Sequence, residues 1–237
     1  MRHSRTSSSR LWHNFCISVH IMKKTAIIIA LMLFSLSIPS GAKSKTLGSF
    51  IEKVSSSLVG FDFSYSMQSP KSKAKMTGSG SVKVQDSSFF MDGNGLEVWC
   101  DGKTRWTVDR LAEEALVELV DDSYDSYATN PALLITAVDQ AFVESSFGSA
   151  KFQGKTVDAS VLSPLAKGKY SMDIAGLKLF FKPGTSDLVG AEIKLNDGSV
   201  SEFTIKDLKF SPKGETKESF RFDEKTLDDS YVVTDLR

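Results

Sequence analysis

The chain has 237 residues, 41% of them hydrophobic, and its 29 Lys+Arg are matched by 29 Asp+Glu. The first 42 residues hold five of the basic residues (Arg2, Arg5, Arg10, Lys23, Lys24), no acidic one, and all three histidines (His3, His13, His20), so residues 43–237 carry 24 positive against 29 negative charges, a net of −5. That balance excludes the clustered positive field that nucleic-acid binding needs, and the missing histidines exclude Ser-His-Asp or Cys-His catalysis and every His-ligated zinc or iron site.

The N-terminal stretch reads as an export signal. Met22-Lys23-Lys24 is a basic start, residues 26–38 form an apolar run, and Pro39-Ser40-Gly41-Ala42 ends in a small-x-small pattern. The run falls short of the ~20 residues a spanning helix requires. Cleavage is expected after Ala42, with residues 1–21 an upstream extension and Met22 an alternative start. No cysteine follows the apolar run where a lipid would be attached. Residues 43–237 are thus expected to be a single exported, periplasmic domain. Cys16 leaves with the signal, so Cys100 has no partner for an intrachain disulfide and reads as a small buried hydrophobe.

In the mature part, Leu47, Phe50, Ile51, Val54 and Leu58 follow helical spacing. The period then becomes two: Phe61, Phe63, Tyr65 and Met67 alternate with Asp62, Ser64 and Ser66, which predicts a half-buried strand. After a polar connection over residues 69–77, a second strand starts near Gly78 with Val82 and Val84 in phase. Phe89-Phe90-Met91 leads into the hairpin step Asn94-Gly95, residues 96–100 return, and Asp101-Gly102 turns into residues 104–108. Residues 116–120 form another candidate strand. Asn130 then caps a helix with Pro131 in its first position and an apolar face of Leu133, Leu134, Ala137, Val138, Ala141 and Phe142. Residues 170–174, 177–181, 188–195 and 199–210 continue the strand pattern, with Pro183-Gly184 and Asn196-Asp197-Gly198 as turns. Connections this short predict an antiparallel meander.

The candidate catalytic groups do not assemble into a site. Asp121-Asp122 and Asp228-Asp229 are adjacent in sequence, and neighbours on a strand point to opposite faces. Ser72 and Lys75 match a Ser-x-x-Lys spacing inside a Ser/Lys-rich loop, where chance supplies such matches. Gly78-Ser79-Gly80 precedes a strand and not a helix, so it lacks the setting of a phosphate loop. The protein is not expected to be an enzyme or to need a cofactor or metal. The aromatic inventory points elsewhere, because a curved sheet with one apolar face either packs solid or encloses a cavity.

VWCDGKTRWTVD (residues 98–109) resembles the strand-turn-strand of LolA-type outer-membrane lipoprotein carriers. NPALLITAVDQ (residues 130–140) is similar to the helix that follows in that family. The N-terminal helix, the Gly80-Ser81-Val82 strand, the meander over residues 179–210 and the tail ESFRFDEKTLDDSYVVTDLR fall in family order. The resemblance implies a mainly β (α+β) fold: a curved antiparallel sheet forming an open, half β-barrel, covered by helices around an apolar cavity. It also implies a function, the carriage of acylated lipoproteins or lipids from an inner-membrane release complex to an outer-membrane acceptor by a monomer. On that basis Phe61, Phe63, Tyr65, Met67, Phe89, Met91, Val98, Trp106, Val108, Leu179, Phe181 and Ile193 are expected to line the acyl cavity, with Trp106 preferred over Trp99. Pro131, Leu133, Leu134, Val138 and Phe142 are expected to form a lid helix. Many LolA proteins carry an Arg-Pro-x-x-Phe-Arg stretch whose first arginine latches the lid, and here QDSSFFMD (residues 85–92) has no arginine. The alternative on the same scaffold is a periplasmic lipid- or lipoprotein-binding sensor or a lipid-transport module.

Overall fold

The computed structural model describes residues 42–72, 74–120, 130–165 and 174–237. The expected export signal up to Gly41, the pair Asp121-Asp122, and residues 170–173 of one expected strand lie outside these. Residues 43–237 form one compact unit.

Helix α1 spans Lys45–Ser56. The Ser44 hydroxyl caps it by accepting the Leu47 N–H at 3.2 Å. Leu47, Phe50 and Val54 are its buried stripe, as their spacing predicts. Leu58, expected to extend that stripe, lies instead in strand β1, Ser57–Gln68. The serines end the helix: the Ser55 and Ser56 hydroxyls both donate to the Glu52 carbonyl, and Ser57 is already extended.

From β1 the chain runs as a meander through β2 (Lys75–Gln85), β3 (Ser88–Gly93), β4 (Leu96–Cys100), β5 (Thr104–Asp109) and β6 (Glu114–Leu119). Helix α2, Pro131–Ala141, follows. A second meander comprises β7 (Phe142–Phe152), β8 (Lys155–Pro164), β9 (Ile174–Phe181), β10 (Leu188–Leu195) and β11 (Val200–Pro212). Its last strand pairs with β1, so both meanders join in one open sheet, with β7 on one edge. The final strand β12, Val232–Asp235, adds to β6 in parallel and forms the other edge. Because α2 links β6 to β7, it must carry the chain from one side of the sheet to the other. That topology explains why this helix roofs the concave face.

Phe142 was expected at the end of the lid helix. It begins β7 instead, because its backbone is extended at φ −133° and ψ 153°. Strands β7 and β8 were not anticipated from the sequence, and the expected break before residue 177 is absent, since β9 runs unbroken from Ile174. The Asn94-Gly95 turn behaves as its sequence predicts, with both residues at positive φ (57° and 83°), the twist a tight hairpin requires.

Gly78 and Gly80 are strand glycines with a packing reason. The Tyr65 ring lies across Gly78, and Gly80 faces Gly93 across the β2–β3 pair. A methyl at Gly80 would sit 2.1 Å from the Asp92 carbonyl oxygen and 2.9 Å from the Gly93 Cα, both backbone atoms that can yield only by opening the strands. Overpacking of this kind costs about 1–3 kcal/mol. Gly80→Ala is expected to lower the thermal unfolding midpoint by several degrees, while Ser81→Ala, beside it on the strand, leaves the midpoint nearly unchanged. Circular dichroism melts check both.

The main core lies between the concave sheet face and the two helices. Two smaller clusters sit on the opposite face. One joins Trp106, Val108, Ala115, Val117 and Phe222, and the other joins Phe152, Val157, Ala159 and Phe180.

Candidate acyl-binding site

Strand parity sorts the expected cavity residues. Phe61, Phe63, Tyr65 and Met67 share one face of β1 and stand opposite Val82, Gly80, Gly78 and Met76 of β2. The face continues through Phe89 and Met91 of β3, each paired with an inward residue of β2, and on to Val98 and Cys100 of β4. In the other direction it passes to Phe203 and Ile205 of β11, then Ala191 and Ile193 of β10, then Leu177 and Leu179 of β9. Apolar residues therefore cover the concave face from one meander to the other.

The helices do not fill this concavity evenly. Beneath α1 the packing is solid: the Phe50 and Phe181 rings meet edge to face at 5.5 Å, and Leu179, Phe181 and Ile193 are fully buried. These three, with Phe61, belong to the packed core and wall no hollow. Met67 keeps the same parity further along β1 but also walls neither hollow. Beyond α1, two hollows open among the described residues. The first, about 500 Å³, lies between Ile51 and Val54 of α1, Phe89 and Cys100 of the sheet, and Thr136 and Ala137 of α2. The second, about 440 Å³, is walled by Phe63, Tyr65, Met91, Val98 and Leu133, with Leu96 at its side. Phe63 and Tyr65 form an aromatic floor there, backed by the buried Phe203, with ring centroids 5.8–6.4 Å apart.

Trp106 and Val108 are corrected by this geometry. Trp106 stands directly opposite Trp99 in the β4–β5 pair, so the two indoles share a face, and that face is the outer one. The residues of β5 that look inward are Arg105 and Thr107. In the expected lid, Leu133 reaches both hollows, whereas Leu134 and Val138 turn into the core and Pro131 is buried at the helix start.

No protein-family model and no curated protein matches the chain. Among solved structures, it is similar to a LolA superfamily protein from Nitrosomonas europaea, at 10% identity and a TM-score of 0.42, over 76% of this chain and 99% of that one. A putative outer membrane lipoprotein-sorting protein domain from Vibrio parahaemolyticus scores 0.42 at 10% identity, over 74% and 94%. The Pseudomonas aeruginosa MucA/MucB complex scores 0.32 at 11% identity, over 75% and 60%. The likeness is one of fold. At such scores it carries no argument about what this chain binds.

Polar side chains also line both hollows, among them Asp86, Ser87, Thr136 and Gln140 in the first and Ser79, Asn94 and Thr107 in the second, and two sets of charged groups are paired there. Arg105 lines both hollows, and its guanidinium donates to the Glu118 carboxylate from Nε at 3.1 Å and Nη2 at 3.0 Å. At the far end of α2, Asp139 pairs with Lys43, and Glu144 accepts from both the N–H and the hydroxyl of Ser44, the latter at 2.9 Å. The C-terminal end of α2 is thus tied to the N-terminal end of α1. Sequence reading missed Arg105, Cys100, Thr136 and Gln140 as cavity-wall residues. The one available signal was that Arg105 and Thr107 share the parity opposite to Trp106.

The outer face is closed by the C-terminal segment. The Trp106 indole N–H donates to Glu224 at 2.9 Å, the Arg221 guanidinium sits 5.9 Å from that ring, and Trp99 packs at a tilt between Phe90 and Phe222. Arg110 forms a two-pronged pair with Glu97 at 2.8 and 2.9 Å and lies over Phe222 and Tyr231. It therefore belongs to this seal. Hydrogen bonding from Arg110, partly opposed by burial, holds the Glu97 carboxyl below its usual 4.5. A carboxyl with a lowered folded value contributes stability that is complete above about pH 4.5 and is lost as the pH falls through the folded value. Glu97→Gln is expected to flatten the acid limb of a melting-temperature profile between about pH 5 and pH 3. An unchanged limb would show that other carboxylates set it.

Proposed function

We propose that the protein is a periplasmic carrier that takes the acyl chains of lipoproteins into the space between sheet and helices and shuttles them from the inner to the outer membrane. One observation carries this reading: a continuous apolar sheet face is roofed by a helix that crosses from one meander to the other, leaving hollows of about 500 and 440 Å³. Small-molecule sites fall at about 300–1,000 Å³ with predominantly apolar walls. Exposing an acyl chain of ~16 carbons to water costs about 12 kcal/mol at roughly 0.8 kcal/mol per methylene. Unassisted transit of a lipid anchor is then negligible, and a carrier needs only a shaped apolar wall, with no reaction and no cofactor. An inner-membrane release complex and an outer-membrane acceptor are the partners such a monomer would meet in turn.

The test is a release assay. Spheroplasts making a labelled acylated lipoprotein are incubated with the purified protein, and the label is followed into the soluble fraction. Label leaving the membrane in a one-to-one complex is the expected result. Label that stays on the membrane, under conditions where a folded protein is verified, contradicts the carrier reading.

A further inference from the structure

The site does not form a single well. Its two hollows lie side by side and share two wall residues, Arg105 and Leu133. Leu133 comes down from α2 and Arg105 comes up from β5, so together they stand as a partition between an α1-side hollow and an aromatic-floored one. Each hollow has an apolar stretch of wall, Ile51, Val54 and Phe89 in one and Phe63, Met91 and Val98 in the other, beside polar residues such as Asp86 and Gln140 in the first and Asn94 and Thr107 in the second, and at the divide sits the ion pair of Arg105 with Glu118. A ligand occupying both hollows therefore passes Leu133 and the Arg105–Glu118 pair where it crosses.

We infer that the site is built for a two-chain amphiphile, one acyl chain in each hollow, with the polar linkage between the chains lying against Leu133 and the Arg105–Glu118 pair. This rests on the proposed acyl-binding function and specifies the class of lipid. A long single chain fills one hollow at a time, so two such molecules bind per protein. A diacyl lipid bridges both and binds once. Desolvating a polar linkage is costly unless it meets hydrogen-bonding or charged groups, and at the divide Arg105 and Glu118 supply them.

The experiment is native mass spectrometry of the protein expressed from its full sequence, stripped of lipid, and offered palmitate or dipalmitoyl phosphatidylethanolamine. Two variants each fill one hollow: Ile51→Trp on the α1 side and Met91→Trp on the aromatic side. The parent is expected to take two palmitates or one phospholipid. Each variant is expected to take one palmitate, which also reports that it is folded, and to lose phospholipid affinity at least about tenfold, since one chain is left in water. Phospholipid binding undiminished in either variant overturns the two-chain assignment. So does a parent that takes palmitate but refuses phospholipid, and in that case the acyl-binding function still stands. A folded parent that takes neither ligand overturns that function, and this inference with it.

Discussion

Trp106→Ala is expected to destabilise the protein severely and to leave acyl binding by the folded fraction unchanged. The indole is 1% exposed, packs with Val108, Val117 and Phe222, and donates its N–H to Glu224. Truncating a buried tryptophan costs about 3–5 kcal/mol, and here the Glu224 carboxylate also loses a partner. For a domain of this size that is a fall in the melting midpoint of about 10 °C or more. The hollows lie on the other side of the sheet, so their walls are untouched. Calorimetry paired with a lipid titration below the midpoint separates the two effects. A stable variant with weakened binding would place the indole in the cavity and refute the two-faced sheet described above.

A second contrast tests the lid helix at adjacent positions. Leu133 is partly exposed and lines both hollows, whereas Leu134 is 2% exposed in the main core. Leu133→Glu puts a carboxylate into the ligand space, where it can stay hydrated in the free protein but must be desolvated when a chain enters. It is expected to weaken lipid binding about tenfold or more with little change in stability. Leu134→Glu buries the charge on folding itself, and is expected to cost enough stability that the protein fails to fold or releases α2 from the sheet. Equal behaviour of the two variants would mean that α2 does not present these two residues to different surroundings.

Local periodicity made part of this arrangement readable in advance. Leu47, Phe50 and Val54 repeat at helical spacing because one face of α1 is buried, and Asn130-Pro131 announces α2 through its cap. Phe61, Phe63 and Tyr65 alternate with polar residues because β1 is covered on one face only. The tryptophans show where such reading stops. Parity says which residues of a strand share a face, but not which face is concave, and on β5 the outer face is apolar as well. What covers it, Phe222 and Glu224, arrives more than a hundred residues later in the chain. Strand β7 lacked a signal for a different reason. As an edge strand it is exposed along most of its length, so its Ser- and Gly-rich sequence is under no pressure to alternate. In β8, Val157 and Ala159 face outward while Ser160 and Leu162 face in, so burial on both faces erases the period of two. The partition at Arg105 and Leu133 depends on how α2 lies across the sheet, which follows from the pairing of β1 with β11 and from no local motif.

The central claim is that the space between α1, α2 and the sheet holds acyl chains. The most direct measurement is to recover the protein from cells without detergent and analyse by mass spectrometry whatever apolar material stays bound. The account predicts acyl-bearing molecules in the eluate: acylated lipoproteins for the carrier, free phospholipid or fatty acid for a lipid transporter or sensor on the same site. A folded protein that emerges empty and takes up no apolar probe would contradict it, and Phe63, Met91 and Leu133 would then be ordinary core.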